Sequence, residues 1–161
     1  MAFLIDADTF IEAKDGPYGF EICPAFWVFL ERENAAGRLF SIKPIGEELC
    51  AGNDQLAKWA ANRKGLFLPL DHAAHEAAKD VVQHVQTNGY TSAASALFLR
   101  GADPFLIAYA KAHDHTIVTH EVMEPGRLNK VKIPNVCKAL DVPCVRVWDW
   151  LRKNKAQFVL G

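Results

Sequence analysis

The chain has 161 residues, half of them hydrophobic and 23% charged, a composition that excludes a disordered, collagen-like or membrane-embedded protein and fits one globular domain over 1–161. A domain of this length buries roughly 70% of its unfolded surface and needs no staples. Eighteen Lys and Arg against 19 Asp and Glu leave a net charge of −1, which excludes a uniformly basic nucleic-acid-binding surface.

In chain order, Ala2 to Ile5 reads as a buried strand that ends directly in Asp6-Ala7-Asp8. Cys23-Pro24 opens a helix with Pro in its first turn, and Gly37 closes it. Leu39 to Ile42 is a second strand, followed by a helical segment through Glu47 to Cys50 and another from Asp54 to Lys64, stopped by Gly65. Leu66 to Leu68 is a short third strand. Asp71 caps a long helix whose Ala74, Ala78, Val81 and Val85 share one face, ending at Asn88-Gly89. Ser92 to Leu99 is helical. Asp103-Pro104 begins a helix that is apolar nearly all round from Phe105 to Ala112 and is therefore buried. Thr116 to Thr119 is a strand, a short helix follows Pro134, and Cys144 to Val147 is the last strand. Such β–α alternation implies a parallel sheet covered by helices on both faces.

The near-zero charge hides an asymmetry. Met1 to His120 carry 10 cations and 15 carboxylates, a balance of −5, whereas Glu121 to Gly161 carry eight and four, a balance of +4. A basic tail half beside an acidic body allows a polyanion to be held by one part while carboxylates act in the other. Cys23, Cys50, Cys137 and Cys144 form no CxxC pair, and no signal peptide or spanning apolar stretch is read. The expectation is four reduced thiols in a cytoplasmic protein with no membrane partner.

Right-handed β–α–β units run their helices antiparallel to their strands, so strand ends and helix beginnings collect at one carboxyl edge. Asp6 and Asp8 leave the first strand there. Glu47 and Glu48 open the helix after the second strand, Asp103 opens the helix leading to the Thr116 strand, and Glu121 lies two residues beyond that strand. Carboxylates gathered in this way repel one another unless a cation or hydrogen-bond donors offset them. A hard divalent cation, Mg²⁺ or Mn²⁺, takes oxygen ligands, keeps several waters and leaves room for a phosphate. Each acid also has a structural reading: Asp103 as an N-cap, Glu47 or Glu48 as a favourable charge in a first helical turn, Glu121 as a loop residue. Asp6, ending a buried strand near the sheet centre, has no such alternative on sequence grounds.

Four stretches taken together resemble a PIN domain, the fold of many metal-dependent ribonucleases including VapC-type toxins. They are Phe3-Leu4-Ile5-Asp6-Ala7-Asp8, Glu48-Leu49, Asp103-Pro104-Phe105-Leu106-Ile107-Ala108-Tyr109-Ala110 and Ile117-Val118-Thr119-His120-Glu121. Lys132-Ile133-Pro134-Asn135-Val136-Cys137 with the Cys144 strand is similar, more narrowly, to a poorly characterised group of bacterial PIN-like proteins. The resemblance implies a three-layer α/β/α fold around a parallel sheet of about five strands ordered 3-2-1-4-5. It implies Asp6, Glu48 and Asp103 as catalytic metal ligands with Glu121 in the fourth acidic position, and Mg²⁺ or Mn²⁺ as cofactor. Asp8 stands where the family commonly has Asn, and Glu121 where it has Asp; Asp8 and Glu124 are further candidate ligands. Thr119 is expected to orient water or a carboxylate near the substrate. The implied activity is metal-dependent hydrolysis of RNA by the toxin of a toxin–antitoxin pair, with an antitoxin protein as partner.

Strand-Asp-x-Asp also begins haloacid-dehalogenase-type phosphatases, where Asp6 is the nucleophile, Asp8 the acid/base and Lys130 the phosphate contact. That chemistry needs a later acidic pair, and only the isolated Asp141 and Asp149 follow Lys130. A non-catalytic PIN-like nucleic-acid-binding module is the third reading, which the intact acidic set disfavours. Phosphate contacts are expected from Arg127, Lys130 and Lys132, with Lys138 and Arg100. His72-x-x-His75-Glu76 matches no zinc-protease order and reads as the polar face of its helix, while His113, His115 and His120 read as solvated loop residues flanking the Thr116 strand, with His120, next to Glu121, a candidate substrate contact. Trp27, in the apolar stretch Phe26 to Leu30, reads as core or as a homodimer face.

Overall fold

The computed structural model describes residues 1–160. β1 (Phe3–Ile5) is central and pairs in parallel with β2 (Leu39–Ile42) on one side and β4 (Thr116–Thr119) on the other, so that Leu4 lies between Phe40 and Ile117. β3 (Phe67–Leu68) extends the sheet beyond β2 and β5 (Cys144–Arg146) beyond β4, giving the all-parallel order 3-2-1-4-5. Leu4, Ile5, Leu39, Ile42, Ile117 and Val118 are fully buried, as strands covered on both faces require.

Helices read from the sequence are present with small shifts: α2 (Pro24–Ala35), α3 (Lys43–Cys50), α4 (Gln55–Ala61), α5 (His72–Thr87), α6 (Ser92–Arg100), α7 (Asp103–His113) and α8 (Ile133–Ala139). Gly37, at φ +75, turns the chain out of α2 in the left-handed region that favours glycine. α3 starts at Lys43, straight from β2 and with Pro44 in its first turn, so Glu47 and Glu48 lie in its second turn rather than at its opening. Asp103 is the first residue of α7; Ala102 holds the cap position, which corrects the N-cap reading of Asp103.

Two helices were not anticipated. α1 (Ala7–Asp15) begins one residue after β1, burying Ala7, Phe10 and Ala13 at i, i+3 and i+6. Asp6 is its cap, accepting a hydrogen bond from the Thr9 N–H at 3.0 Å, so this carboxylate does have a structural role. α9 (Val147–Lys153) follows β5 without a break and buries Val147, Trp150 and Leu151.

The crossover from β1 to β2 runs through α1 and α2, and that from β3 to β4 through α5, α6 and α7, in opposite directions along the sheet. Right-handed crossovers therefore put these two groups on opposite faces. On the first face Phe29 of α2 meets Trp150 of α9 with ring centroids 5.4 Å apart, and Trp150 lies 6.2 Å from Phe3 of β1. Trp27 is core: it is buried, stacks on Phe20 at 4.0 Å and donates its indole N–H to the Tyr18 carbonyl at 2.7 Å. All four cysteines are free, and among the described residues no helix is long and apolar enough to cross a membrane.

The seat of α3 depends on one small residue. A Cβ added to Gly46 would stand 2.8 Å from Cγ of Phe67, closer than carbon atoms tolerate, so α3 packs on β3 by backbone approach. Gly46→Ala gains helix propensity but overpacks this contact, and the expected net result is a loss of about 1–3 kcal/mol. Urea unfolding measures it; an unchanged midpoint would show that Phe67 yields without cost.

Candidate active site at the carboxyl edge of the sheet

Where β1 and β4 end and α1, α7 and α8 begin, the chain leaves an open cavity of about 460 Å³. Asp8, Glu48, Asp103 and Glu121 line it, with Arg127, Asn129 and Lys130 at its basic side. Four segments distant in sequence thus bring carboxylates together, as the strand and helix directions predict.

Most of these acids are held by helix beginnings. Glu48 Oε1 accepts the N–H of Ala102, the residue capping α7, at 3.0 Å across 54 positions of sequence. Glu121 Oε2 accepts the N–H of Ile133, the first residue of α8, at 2.8 Å. Asp6 holds α1 in the same way, and its second oxygen accepts the Thr119 hydroxyl at 2.8 Å. Thr119 Oγ1 in turn accepts the Glu121 N–H at 3.1 Å, so one buried threonine couples Asp6 to Glu121. Each bond satisfies a backbone donor that a helix start leaves open and sets a carboxylate at the positive end of a helix dipole.

Asp103 has no such support. No hydrogen bond to its carboxylate is present among the described residues, and burial pushes its pKa up to about 8. The neighbouring charges of Asp6, Asp8, Glu121 and Glu48 add to this shift. Asp6, fully buried, is raised to about 6, mainly by desolvation and against the pull of Thr9 and Thr119. In an acidic pocket, these groups favour the neutral form unless a positive charge joins them.

The other sequence candidates separate cleanly. Glu48 lines the cavity and Glu47 does not. Glu124 turns away: its carboxylate pairs with Arg127 and stands 3.7 Å from Lys132, and the Arg127 guanidinium holds its pKa below the usual range. Arg127 and Lys130 line the cavity, whereas Lys132 and Lys138 do not. Thr119 is fully buried, with its hydroxyl donating to Asp6 and accepting the Glu121 N–H. Asp6 itself lies beneath the cavity rather than on its wall.

Asp141 and Asp149, the pair a phosphatase would need, lie in the turn after α8 and in α9, the latter 3.4 Å from Arg152, and neither lines the cavity. His72 and His75 are exposed on α5, His113 pairs with Asp71 at 2.7 Å, and the ring of His115 accepts the Ala2 N–H at 3.0 Å. The sequence reading missed Thr9, Ala102 and Ile133, whose backbone N–H groups set the carboxylates. Of these, only Asp6-x-x-Thr9 carries a local signal, the spacing of an N-cap to N3 contact.

Among the described residues, no group of three or more His, Cys, Asp or Glu side chains is arranged so that it could hold a metal ion. The donor set nevertheless suits Mg²⁺ or Mn²⁺, which bind through one or two carboxylates while retaining waters and need no all-protein cage. Glu48 and Glu121 each keep one oxygen free of hydrogen bonds, and Asp103 keeps both.

The architecture is a three-layer α/β/α domain with an acidic cavity at the carboxyl edge of its parallel sheet. The chain belongs to the family described as "Domain of unknown function (DUF4411)", matched over residues 3–158. Among solved structures it is similar to FitAcB from Neisseria gonorrhoeae at 20% identity, covering 91% of this chain and 98% of that one with a TM-score of 0.54, a likeness of fold. None of the curated proteins compared with it matches.

Asp103 makes the isolated fold pH-sensitive. Its folded pKa lies above the unfolded value of 3.8, so between about pH 4 and pH 8 the folded chain binds more protons than the unfolded one and stability falls as pH rises. With divalent ions chelated, Asp103→Asn is therefore expected to raise the Tm by several degrees at the alkaline end, about 1 kcal/mol being worth roughly 2–4 °C at this size, and to change little near pH 4. Thermal melts of both proteins across that range test the sign; parallel curves would contradict it.

Proposed function

We propose that this chain is a Mg²⁺- or Mn²⁺-dependent endoribonuclease and the toxin of a toxin–antitoxin pair. The observation that carries this is Asp103: a half-buried carboxylate without a hydrogen bond, in a cavity lined by three further acids together with Arg127 and Lys130. Such a cluster is unfavourable by itself and favourable around a divalent cation beside a phosphate. The PIN resemblance of the four acidic stretches and the likeness of fold support the same reading. The antitoxin partner rests on that resemblance.

One or two of Asp103, Glu48 and Glu121 would hold the ion through their free oxygens and the rest through waters it retains, with Asp8 at the rim and Asp6 as the deep carboxylate. When bound, the ion supplies an activated water and neutralises charge developing on the phosphodiester oxygens. The chain's own residues do the remaining work. Thr119 fixes Asp6 and the Glu121 backbone in one geometry, and the N–H groups of Ala102 and Ile133 aim Glu48 and Glu121. Arg127 and Lys130 position the phosphate backbone of the strand without reading its sequence. No Ser-His or Cys-His nucleophile is placed in the cavity, in keeping with direct attack by water.

Purified protein with Mn²⁺ is expected to cleave single-stranded RNA and to stop when EDTA is added. Asp103→Asn should lower the rate by about two orders of magnitude or more, the scale of losing one preorganised charge at a reacting centre. Glu47→Gln should leave it within about twofold, since Glu47 does not face the cavity. Thr119→Val, which releases Asp6 without touching substrate, should cost about 10–100-fold and raise the Mn²⁺ concentration needed for half activity. RNA left intact by the Mn²⁺-loaded protein, or full activity in Asp103→Asn, would sink the nuclease reading.

A further inference from the structure

A second cavity, of about 200 Å³, opens on the same edge of the sheet, on the other side of the ends of β1 and β4. Thr9 and His120 line it, one residue along from Asp8 and Glu121 of the acidic cavity. Tyr18, Arg146 and Trp148 complete the part that matters here. Its volume is below the roughly 300 Å³ of cavities that enclose drug-sized ligands, and it suits a single planar ring with the rest of the molecule outside.

Its walls are unusual for this protein. Of the four tryptophans, Trp27, Trp59 and Trp150 are buried, while Trp148 is 39% exposed and tilts against Tyr18 with centroids 5.7 Å apart. An aromatic face left open in this way, backed by a second ring, is a stacking platform for an unpaired base. His120 is anchored through its backbone, whose N–H donates to Thr9 Oγ1 at 3.0 Å. Its ring is not anchored: Nδ1 is buried without a hydrogen-bond partner, and Nε2 stands 3.9 Å from Glu12 Oε1, beyond hydrogen-bond distance. An imidazole with neither nitrogen satisfied can turn to offer a donor or an acceptor to a base edge.

Arg146, exposed at the end of β5, supplies the cation. It also lines a third cavity with Lys138 and Glu121, which adjoins the acidic cavity at Glu121 and this one at Arg146. Chemistry and position together fit one occupant.

We infer that the cleft between Tyr18, His120, Arg146 and Trp148 is a subsite for an unpaired nucleobase of the RNA strand. Trp148 is the stacking face, His120 the adaptable contact to the base edge, and Arg146 the contact to the adjoining phosphate. The inference deepens the nuclease reading and rests on it for the identity of the strand.

The test is made with divalent ions chelated, so that binding is read apart from cleavage. Nucleoside 5′-monophosphates and the matching nucleosides are titrated into the full chain while tryptophan fluorescence is followed. Quenching by the nucleotides is expected in the wild type. Trp148→Leu should abolish the quenching and, by calorimetry, weaken binding by about fivefold or more, the lower end of what stacking on an aromatic side chain contributes. Arg146→Gln should weaken the nucleotides but not the nucleosides, and His120→Ala should reduce discrimination among the four bases. Glu47→Gln, at a residue that lines neither cavity, should bind as the wild type does, and circular dichroism confirms that each variant is folded. Absence of binding at millimolar nucleotide, or binding indifferent to both Trp148→Leu and Arg146→Gln, overturns the proposal. Binding that requires Trp148 in a protein that cleaves no RNA with Mn²⁺ retains the subsite and overturns the nuclease reading alone.

Discussion

Mutual repulsion among the carboxylates is the constraint around which this domain is organised. Asp6, Asp8, Glu48, Asp103 and Glu121 converge at one edge of the sheet, where burial and neighbouring carboxylates raise the pKa of Asp6 and Asp103. The fold offsets part of that cost with helix beginnings. Asp6 caps α1, Glu48 takes the cap N–H of α7, and Glu121 takes the first N–H of α8. Each bond satisfies a backbone donor that would otherwise lack a partner and places negative charge at the positive end of a peptide dipole. Of the five, Asp8 and Asp103 receive no such bond; Asp8 is exposed to water, so the cost falls on the half-buried Asp103.

The same contacts hold the architecture together. β1 is the middle strand, and its end is tied on both sides: Ser41 of β2 donates its hydroxyl to the Ile5 carbonyl at 2.7 Å, and Thr119 of β4 donates to Asp6. The sheet's central strand, the cap of α1 and the deepest carboxylate are therefore one connected unit. Glu48 spans from α3 to α7, elements on opposite arms of the topology, and Gly46 lets α3 approach β3 closely enough for that reach. Groups that build a scaffold here also set the geometry of its cavity, which is how a small domain positions charges without spare residues.

Much of this was legible along the chain. The apolar runs of β1, β2 and β4, the Pro and Gly punctuation of α2 and the one-sided face of α5 are local signals, and the structure follows them closely. The convergence of acids followed from strand and helix polarity before any contact was known. α1 and α9 went unread for a physical reason: each follows its strand with no intervening turn residue, so the change of period from two to 3.6 is hidden inside a continuous stretch. The helix after β2 was read only from Glu47, whereas Lys43 and Pro44 already form the first turn of α3.

The sequence by itself determined which residue types reach the carboxyl edge, since that depends only on where strands end and helices begin. Tertiary structure alone decided how those side chains are used. Glu48 rather than Glu47 faces the cavity because of its angle on α3, and Glu124 is lost to Arg127 because the two meet in a loop with no periodicity to read. Asp6 is engaged twice while Asp103 stands alone, because the donors that hold Asp6 come from α1 and from β4, the latter 113 residues away. The open tryptophan beside a free histidine likewise exists only once β4, β5 and α1 are packed together. Polarity of elements is written locally; the partners of a side chain are set by chain segments that meet only in the folded protein.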